Sequence, residues 1–337
     1  MARSGTVRRG RTTSEPLPLQ SQIVPPGSRV EEVFGGGAVL TEGVAAGPDG
    51  LIYFSDITRT LDCTDERGMQ AGHIWRFDPG DGSCRIFRSP SGMANGIVFD
   101  RQGRMVVAEG ADYGGRRITR MDMATGRSFI AAGQFDGRPF NAPNDVAIDA
   151  KQRIYFTDPR YIGWESIEQP VMAVYRIDPD CSVHRVITDV RKPNGVALSP
   201  DQRTLYVSSS DNGTIASRRL PANVPLPDGE SKVFSYALSS KGAVGPRRTF
   251  ADLDAIGQPD GMTVDDQGFV YVAIFAPEPM VAVFSPAGEW VARIDMADAT
   301  TNVEFGRGKA RYDLYITAGH GLYRIRLARA GFHLPPL

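Results

Sequence analysis

Six residues recur at the head of one repeated phrase in this 337-residue chain: Glu42, Asn95, Asn144, Asn194, Asp260 and Asn302. Each opens a short run of alternating side chains that turns and comes straight back as a second run. The clearest copy is Gln258-Pro259-Asp260-Gly261-Met262-Thr263-Val264-Asp265, followed by residues 269–274. Two carboxylates and four side-chain amides offer oxygen donors. If they converge away from water they need a partner, because buried polar atoms left unsatisfied are costly. All-oxygen ligation suits a hard divalent cation, Ca²⁺ better than Mg²⁺ or Mn²⁺. Asn, Asp and Gly also open strands simply as turn residues. That reading covers one or two copies but strains to explain a polar residue at the same place in all six.

Other catalytic machinery is absent. There is no G-x-S-x-G, H-E-x-x-H, P-loop or G-x-G-x-x-G pattern. Of four histidines, only His320 falls in a turn on the side of the ring, between Gly319 and Gly321. It could protonate a leaving alkoxide, although a plain turn residue is the simpler reading. Asp158 and Arg160 end the second run of the third copy, as Asp56 does in the first. Two roles stand for them, strand-end turn formers or contacts to substrate. Cys63 has no base at a recognisable spacing.

The repeat also fixes the elements that must position these residues. Copies begin at 42, 95, 144, 194, 260 and 302, and each has room for about four strands. Periods of ~40–50 residues with four strands are the signature of propeller blades. The expected fold is all-β: a six-bladed β-propeller with four antiparallel strands per blade. The last copy runs out of chain before its outer strand, and residues 29–34 supply one, which closes the ring and protects its edges. The one wide spacing reflects an insertion at residues 209–230, rich in Pro and Asn. In a closed propeller the innermost strands line a central channel, so the six heads face one mouth. Loops 57–72, 110–116, 159–171, 209–230, 276–279 and 319–321 would wall the cleft above it.

Bulk properties agree. With 41% hydrophobic residues the chain can bury a full core, and a net charge of −1 gives no reason to expect nucleic acid as a partner. No apolar run approaches the ~18 residues needed to span a bilayer, so no membrane partner is expected. Three cysteines without C-x-x-C spacing argue against a disulfide framework or a structural zinc. Residues 1–28, with Arg3, Arg8, Arg9 and Arg11 among Ser, Thr, Gly and Pro, read as a disordered arm, and residues 29–337 as a single catalytic domain. A cytoplasmic location is expected, or a periplasmic or secreted one if the arginines are the remnant of a leader.

From about Ser21 to its end the chain resembles the SMP-30/gluconolactonase/luciferin-regenerating family of six-bladed propellers. The resemblance is carried by Thr41-Glu42-Gly43, Asn141-Ala142-Pro143-Asn144-Asp145, Tyr155-Phe156-Thr157-Asp158-Pro159-Arg160-Tyr161, Lys192-Pro193-Asn194-Gly195 and Pro259-Asp260-Gly261. It implies one catalytic divalent ion held by Glu42, Asn144, Asn194 and Asp260. Ca²⁺ is first among the candidate ions, with Zn²⁺, Mn²⁺ or Mg²⁺ as others and room for a second, structural Ca²⁺. Asn95 and Asn302 are left as cleft lining, with Asp158, Arg160 and His320 as candidate substrate contacts. Val44 stands where the family usually has Pro, past the ligand, where little effect on ion binding is expected. Glu304 shares a face with Asn302, and either adds a third carboxylate deeper in the channel or pairs with an arginine.

The resemblance further implies a metal-dependent hydrolase that opens small lactones by attack of water on a polarised carbonyl. Asp260 is the first choice as base and Glu42 the second, and Asp260 could instead attack as a nucleophile. The expected partner is a small lactone, and the assembly a monomer or homodimer. Two alternatives remain at this stage. One is a phosphotriesterase-like hydrolase on the same ion, its cleft made apolar by Met69, Trp164, Phe275 and Met280. The other is a non-catalytic interaction platform, which has no need of oxygens converging on the axis.

Overall fold

The computed structural model describes residues 17–57, 64–65, 68–69, 72–163, 165–210 and 229–334. Six four-stranded antiparallel sheets stand around one axis. Blade one runs outward through Thr41–Ala46, Ile52–Asp56, His73–Phe77 and Cys84–Arg88, and the following four blades repeat this meander. Blade six is composite. Thr300–Phe305, Asp313–Ala318 and Gly321–Arg326 come from the end of the chain, and Glu31–Phe34 adds the outer strand, with Glu31 opposite Arg324. The expected propeller and its expected closure are both present.

Burial grades outward within a blade. Every residue of the innermost strand Thr41–Ala46 is buried, whereas the outer strand Ser128–Ala132 is largely exposed. An innermost strand faces the channel on one edge and packs on neighbouring blades on both faces, so it has no solvated side. Aromatic pairs cement the blades to one another: Tyr53 on Phe99, Phe77 on Tyr315, and Tyr271 on Phe305.

The turn from first to second strand uses one device several times. Asp100, Asp149 and Asp265 each accept two backbone N–H groups across their turn. In blades one and five a tyrosine of the second strand donates back to the turn carboxylate, Tyr53 to Asp49 at 2.8 Å and Tyr271 to Asp265 at 3.2 Å. This fixes strand length, and therefore how far each strand head projects at the opposite mouth.

The N-terminal arm is shorter than expected. From residue 17 the chain is docked, with a single helical turn, Gln20–Ile23, lying against the outer strand of blade five. Gln20 exchanges two hydrogen bonds with the backbone of Arg293, Leu19 N donates to Val291 O, and Ala328 N donates to Ile23 O. Ile23 is fully buried among Val291, Ile294 and Leu327. The expectation of disorder through residue 28 rested on polarity and prolines, and overlooked this one apolar anchor. Residues 1–16 of that arm lie outside the described residues. Substituting Ile23→Ala should cost about 2–5 kcal/mol, the usual cost of emptying a buried aliphatic site. Equilibrium denaturant unfolding would measure it, and an unchanged midpoint would show that the helical turn does not contribute to the core.

Candidate active site

In five of the six blades a β-bulge shapes the start of the innermost strand. In blade one Thr41 pairs with Asp56 and Val44 with Phe54, so Glu42 and Gly43 together oppose Ser55. Blades two, four and five break register at the same place, around Asn95-Gly96, Asn194-Gly195 and Asp260-Gly261. A bulge next to a functional site re-aims a side chain. Here it puts Glu42, Asn95, Asn194 and Asp260 in equivalent positions, and all four are buried. Asn144 heads blade three in the same way, its N–H on Thr157 O.

Where a glycine follows the head it is required sterically. A Cβ on Gly43 would lie 2.2 Å from the Asn95 carbonyl oxygen, and one on Gly96 would lie 2.7 Å from the Asp145 Cα. A Cβ on Gly195 would come within 2.4 Å of the Asp260 carbonyl oxygen. Consecutive innermost strands therefore touch backbone to backbone around the axis. Two positions in this layer are not glycine: Asp145 and Asn302. Asp145 Oδ2 accepts Val196 N of the next blade at 2.9 Å, and the Asn302 amide fills the space a side chain on Gly261 would need.

Asn302 is thus displaced from its expected place. In blade six Val303 pairs with Ile316 as Val44 does with Phe54, so Thr301 holds the head position and Asn302 the glycine position. Thr301 does not face the mouth, because its hydroxyl bonds Thr41 O and Thr317. The sequence phrase was read one residue late in this last, degraded copy. Glu304 lies deeper in the channel and accepts the Thr263 hydroxyl at 3.0 Å, with burial pushing its carboxyl up to about 7 and the charge of Arg307 opposing that shift.

Burial dominates the electrostatics of the ring. Glu42 is pushed well above the usual carboxylate range by desolvation first, then by the charges of Asp260 and Asp145. Asp260 is raised by desolvation and by Asp145, against a hydrogen bond from Asn194 and the N–H of Gly261. Burial also lifts Asp145 to about 7. No lysine or arginine among the described residues is a source of compensating charge for Glu42 or Asp260. In addition, Asn194 Oδ1 is buried and has no hydrogen-bond partner. No group of three or more His, Cys, Asp or Glu among the described residues could hold an ion, so a cation here would draw on the amides as well. Desolvated carboxylates beside an orphaned amide oxygen are a donor set that fits a hard divalent ion.

Two other expected contacts resolve differently. Asp158 and Arg160 do not face a substrate: both are fully buried. Asp158 accepts Asn141 N at 2.9 Å and Ala142 N at 2.8 Å, while Arg160 donates through Nε and Nη2 to Asn141 O and through Nη1 to Glu165 O. Together they grip both sides of the loop that delivers Asn144. Asp56 does the same for Glu42, accepting Val39 N and Leu40 N. The shared signal was in the sequence, a hydroxyl residue followed by Asp in Ser55-Asp56 and Thr157-Asp158, but a strand-end carboxylate can point under a loop as readily as over it. His320 is exposed in its turn and makes no hydrogen bond to a described residue. Met280 packs in the core of blade five, so it lines no cleft, and Trp164, Cys63 and the Met69 side chain lie outside the described residues.

Residues 42–320 match the SMP-30/gluconolactonase/LRE-like region. The chain belongs to this family. Among its relatives, the Zymomonas mobilis gluconolactonase is 29% identical over 281 residues, covering 74% of this chain and 71% of that one. The pentonolactonase XacC of Haloferax volcanii is 25% identical, covering 75% and 76%. The solved structure of a Xanthomonas campestris gluconolactonase superposes with a TM-score of 0.74 at 26% identity, covering 91% of each chain. The SMP-30/gluconolactonase/LRE-like fold is therefore common to all of them, and the buried Asp158 grip belongs to its frame in this chain. Substituting Asp158→Ala leaves two buried N–H groups unpaired and should cost about 2–6 kcal/mol at ~1–3 kcal/mol each. Thermal unfolding would report it. A raised KM with an unchanged melting temperature would instead restore Asp158 to the substrate.

Proposed function

We propose that this protein is a metal-dependent hydrolase that opens small lactones. The observation that carries the reading is the ring itself: Glu42 and Asp260 desolvated and mutually repelling, with the Asn194 amide oxygen buried beside Asp260 and unpartnered. Glu42, Asn144, Asn194 and Asp260 would hold one divalent ion, Ca²⁺ on the chemistry of its donors. Bound there, the ion would polarise an ester carbonyl and make it a better electrophile. Relatives named for gluconolactone and pentonolactone hydrolysis support a cyclic ester as substrate.

The chain's own residues supply the rest. Asp260 takes a proton from the attacking water, and Glu42 is the alternative acceptor. The carbonyl carbon gains the water oxygen, the ring C–O bond breaks, and the departing alkoxide oxygen takes up a proton to leave an open hydroxy acid. Asn144 and Asn194 are neutral at every working pH, so they contribute donors without adding to the repulsion between carboxylates. Asn95, at the equivalent head of blade two, is placed to hydrogen-bond a substrate hydroxyl.

The test is hydrolysis of a panel of γ- and δ-lactones by purified protein, untreated, after chelation, and after return of Ca²⁺, Zn²⁺ or Mn²⁺. Activity should disappear with chelator and return with one of the ions. Asp260→Asn should lower kcat by ~10²–10⁴, the range for loss of a positioned acid or base. Full turnover in chelator together with an active Asp260→Asn variant would overturn the proposal. A phosphotriester in the same panel discriminates the related chemistry.

A further inference from the structure

The residue of the second strand that lies opposite the strand head is, across the six blades, Ser55, Ala108, Thr157, Ser208, Ala273 and Thr317. In two blades that hydroxyl bridges adjacent strand heads. Thr157 Oγ1 accepts Asp145 N at 3.0 Å from its own blade and donates to Asn194 O at 2.5 Å in the next. Ser208 Oγ accepts Gly195 N at 2.6 Å and donates to Asp260 O at 2.9 Å. A hydroxyl has one proton to give and lone pairs to receive, so each bridge uses its proton once and is complete. Both residues are fully buried.

We propose that Thr157 and Ser208 are positioning residues that set the spacing of the Asn144, Asn194 and Asp260 heads, and through it the affinity of the ring for a divalent cation. The two bridges run in series, from Asn144-Asp145 through Thr157 to Asn194-Gly195, and from there through Ser208 to Asp260. Neither hydroxyl reaches the mouth, and each acts on main-chain atoms of a residue whose side chain does. The Asp145 carboxylate on Val196 N is a second strut across the first of these gaps. Groups that orient ion ligands typically account for about 10–100-fold in affinity, because donors must be held within ~0.5 Å of their working places.

Blade one supplies an internal comparison. Ser55 holds the same position and is equally buried, but its Oγ has no hydrogen-bond partner. Removing it deletes a buried hydroxyl without deleting a bridge. The inference rests on the ring being an ion site, so the experiment reads ion binding directly. Calorimetric Ca²⁺ titration, and Tb³⁺ luminescence as a second probe, would be applied to the full chain and to Thr157→Val, Thr157→Ser, Ser208→Ala, Ser55→Ala and Asp260→Asn, each with its melting temperature in chelator.

Thr157→Val and Ser208→Ala should each weaken Ca²⁺ binding by about 10–100-fold. Thr157→Ser should stay within a few-fold of the parent, and Ser55→Ala should match it. If the two bridge variants bind no more weakly than Ser55→Ala while Asp260→Asn abolishes binding, the ring reading stands and this inference falls. A parent protein that binds neither probe, nor Zn²⁺ or Mn²⁺ by the same calorimetry, overturns both. Should Thr157→Val fail to fold, the comparison of Ser208→Ala with Ser55→Ala decides the matter alone.

Discussion

The crowding of six innermost strands around one axis is the constraint on which the rest of this structure depends. Strand heads approach so closely that a single methyl group at Gly43, Gly96 or Gly195 would collide with the neighbouring backbone. That closeness gathers side chains from four different blades at one mouth. It also keeps water from Glu42 and Asp260, and so pushes their carboxyls well above the usual carboxylate range. The glycine in each Asn-Gly or Asp-Gly pair and the oxygen donor before it are two parts of one solution: the first lets the ring close, the second occupies what the closure makes.

A ring this tight tolerates little movement, and the surrounding hydrogen bonds show how movement is restrained. Carboxylates at the ends of second strands, Asp56 and Asp158, hold the loops entering Glu42 and Asn144. Hydroxyls one residue earlier tie strand heads to one another in blades three to five. Gly96 N donates to Asn144 O at 2.7 Å and joins blade two to the same belt. The donors are thus set by backbone on rigid strands, with loops left to shape whatever lies above them.

Much of this was legible in the sequence, for a physical reason. The repeat of polar head, alternating strand, turn and returning strand is enforced in every blade by the same closure geometry, so it survives as pattern even where identities drift. The heads Glu42, Asn95, Asn144, Asn194 and Asp260 and the closing strand at residues 31–34 are where the pattern put them. What failed was direction and register. Alternation cannot tell whether Asp158 turns over the cleft or under the loop, and Arg160 followed it inward. In blade six, where no glycine marks the bulge, the repeat points to Asn302 as the head although Thr301 has that place. The belt of Thr157 and Ser208 was invisible, because a lone hydroxyl in a strand has no periodic signature and its partners come from a different blade.

Closing blade six with residues from both ends of the chain has a consequence for how the protein is made. Glu31 cannot find Arg324 until the chain has been made through position 324, 293 residues further along. Until then the earliest strand waits as an open edge, and the barrel-like ring stays a crescent with blade one and blade five both uncovered on a flank. Contacts of such long sequence separation are slow to form and leave intermediates prone to association. The same arrangement acts as a check on closure: without the strand Gly321–Arg326 the first strand has no partner, and blade six, through which the ring closes, is never completed.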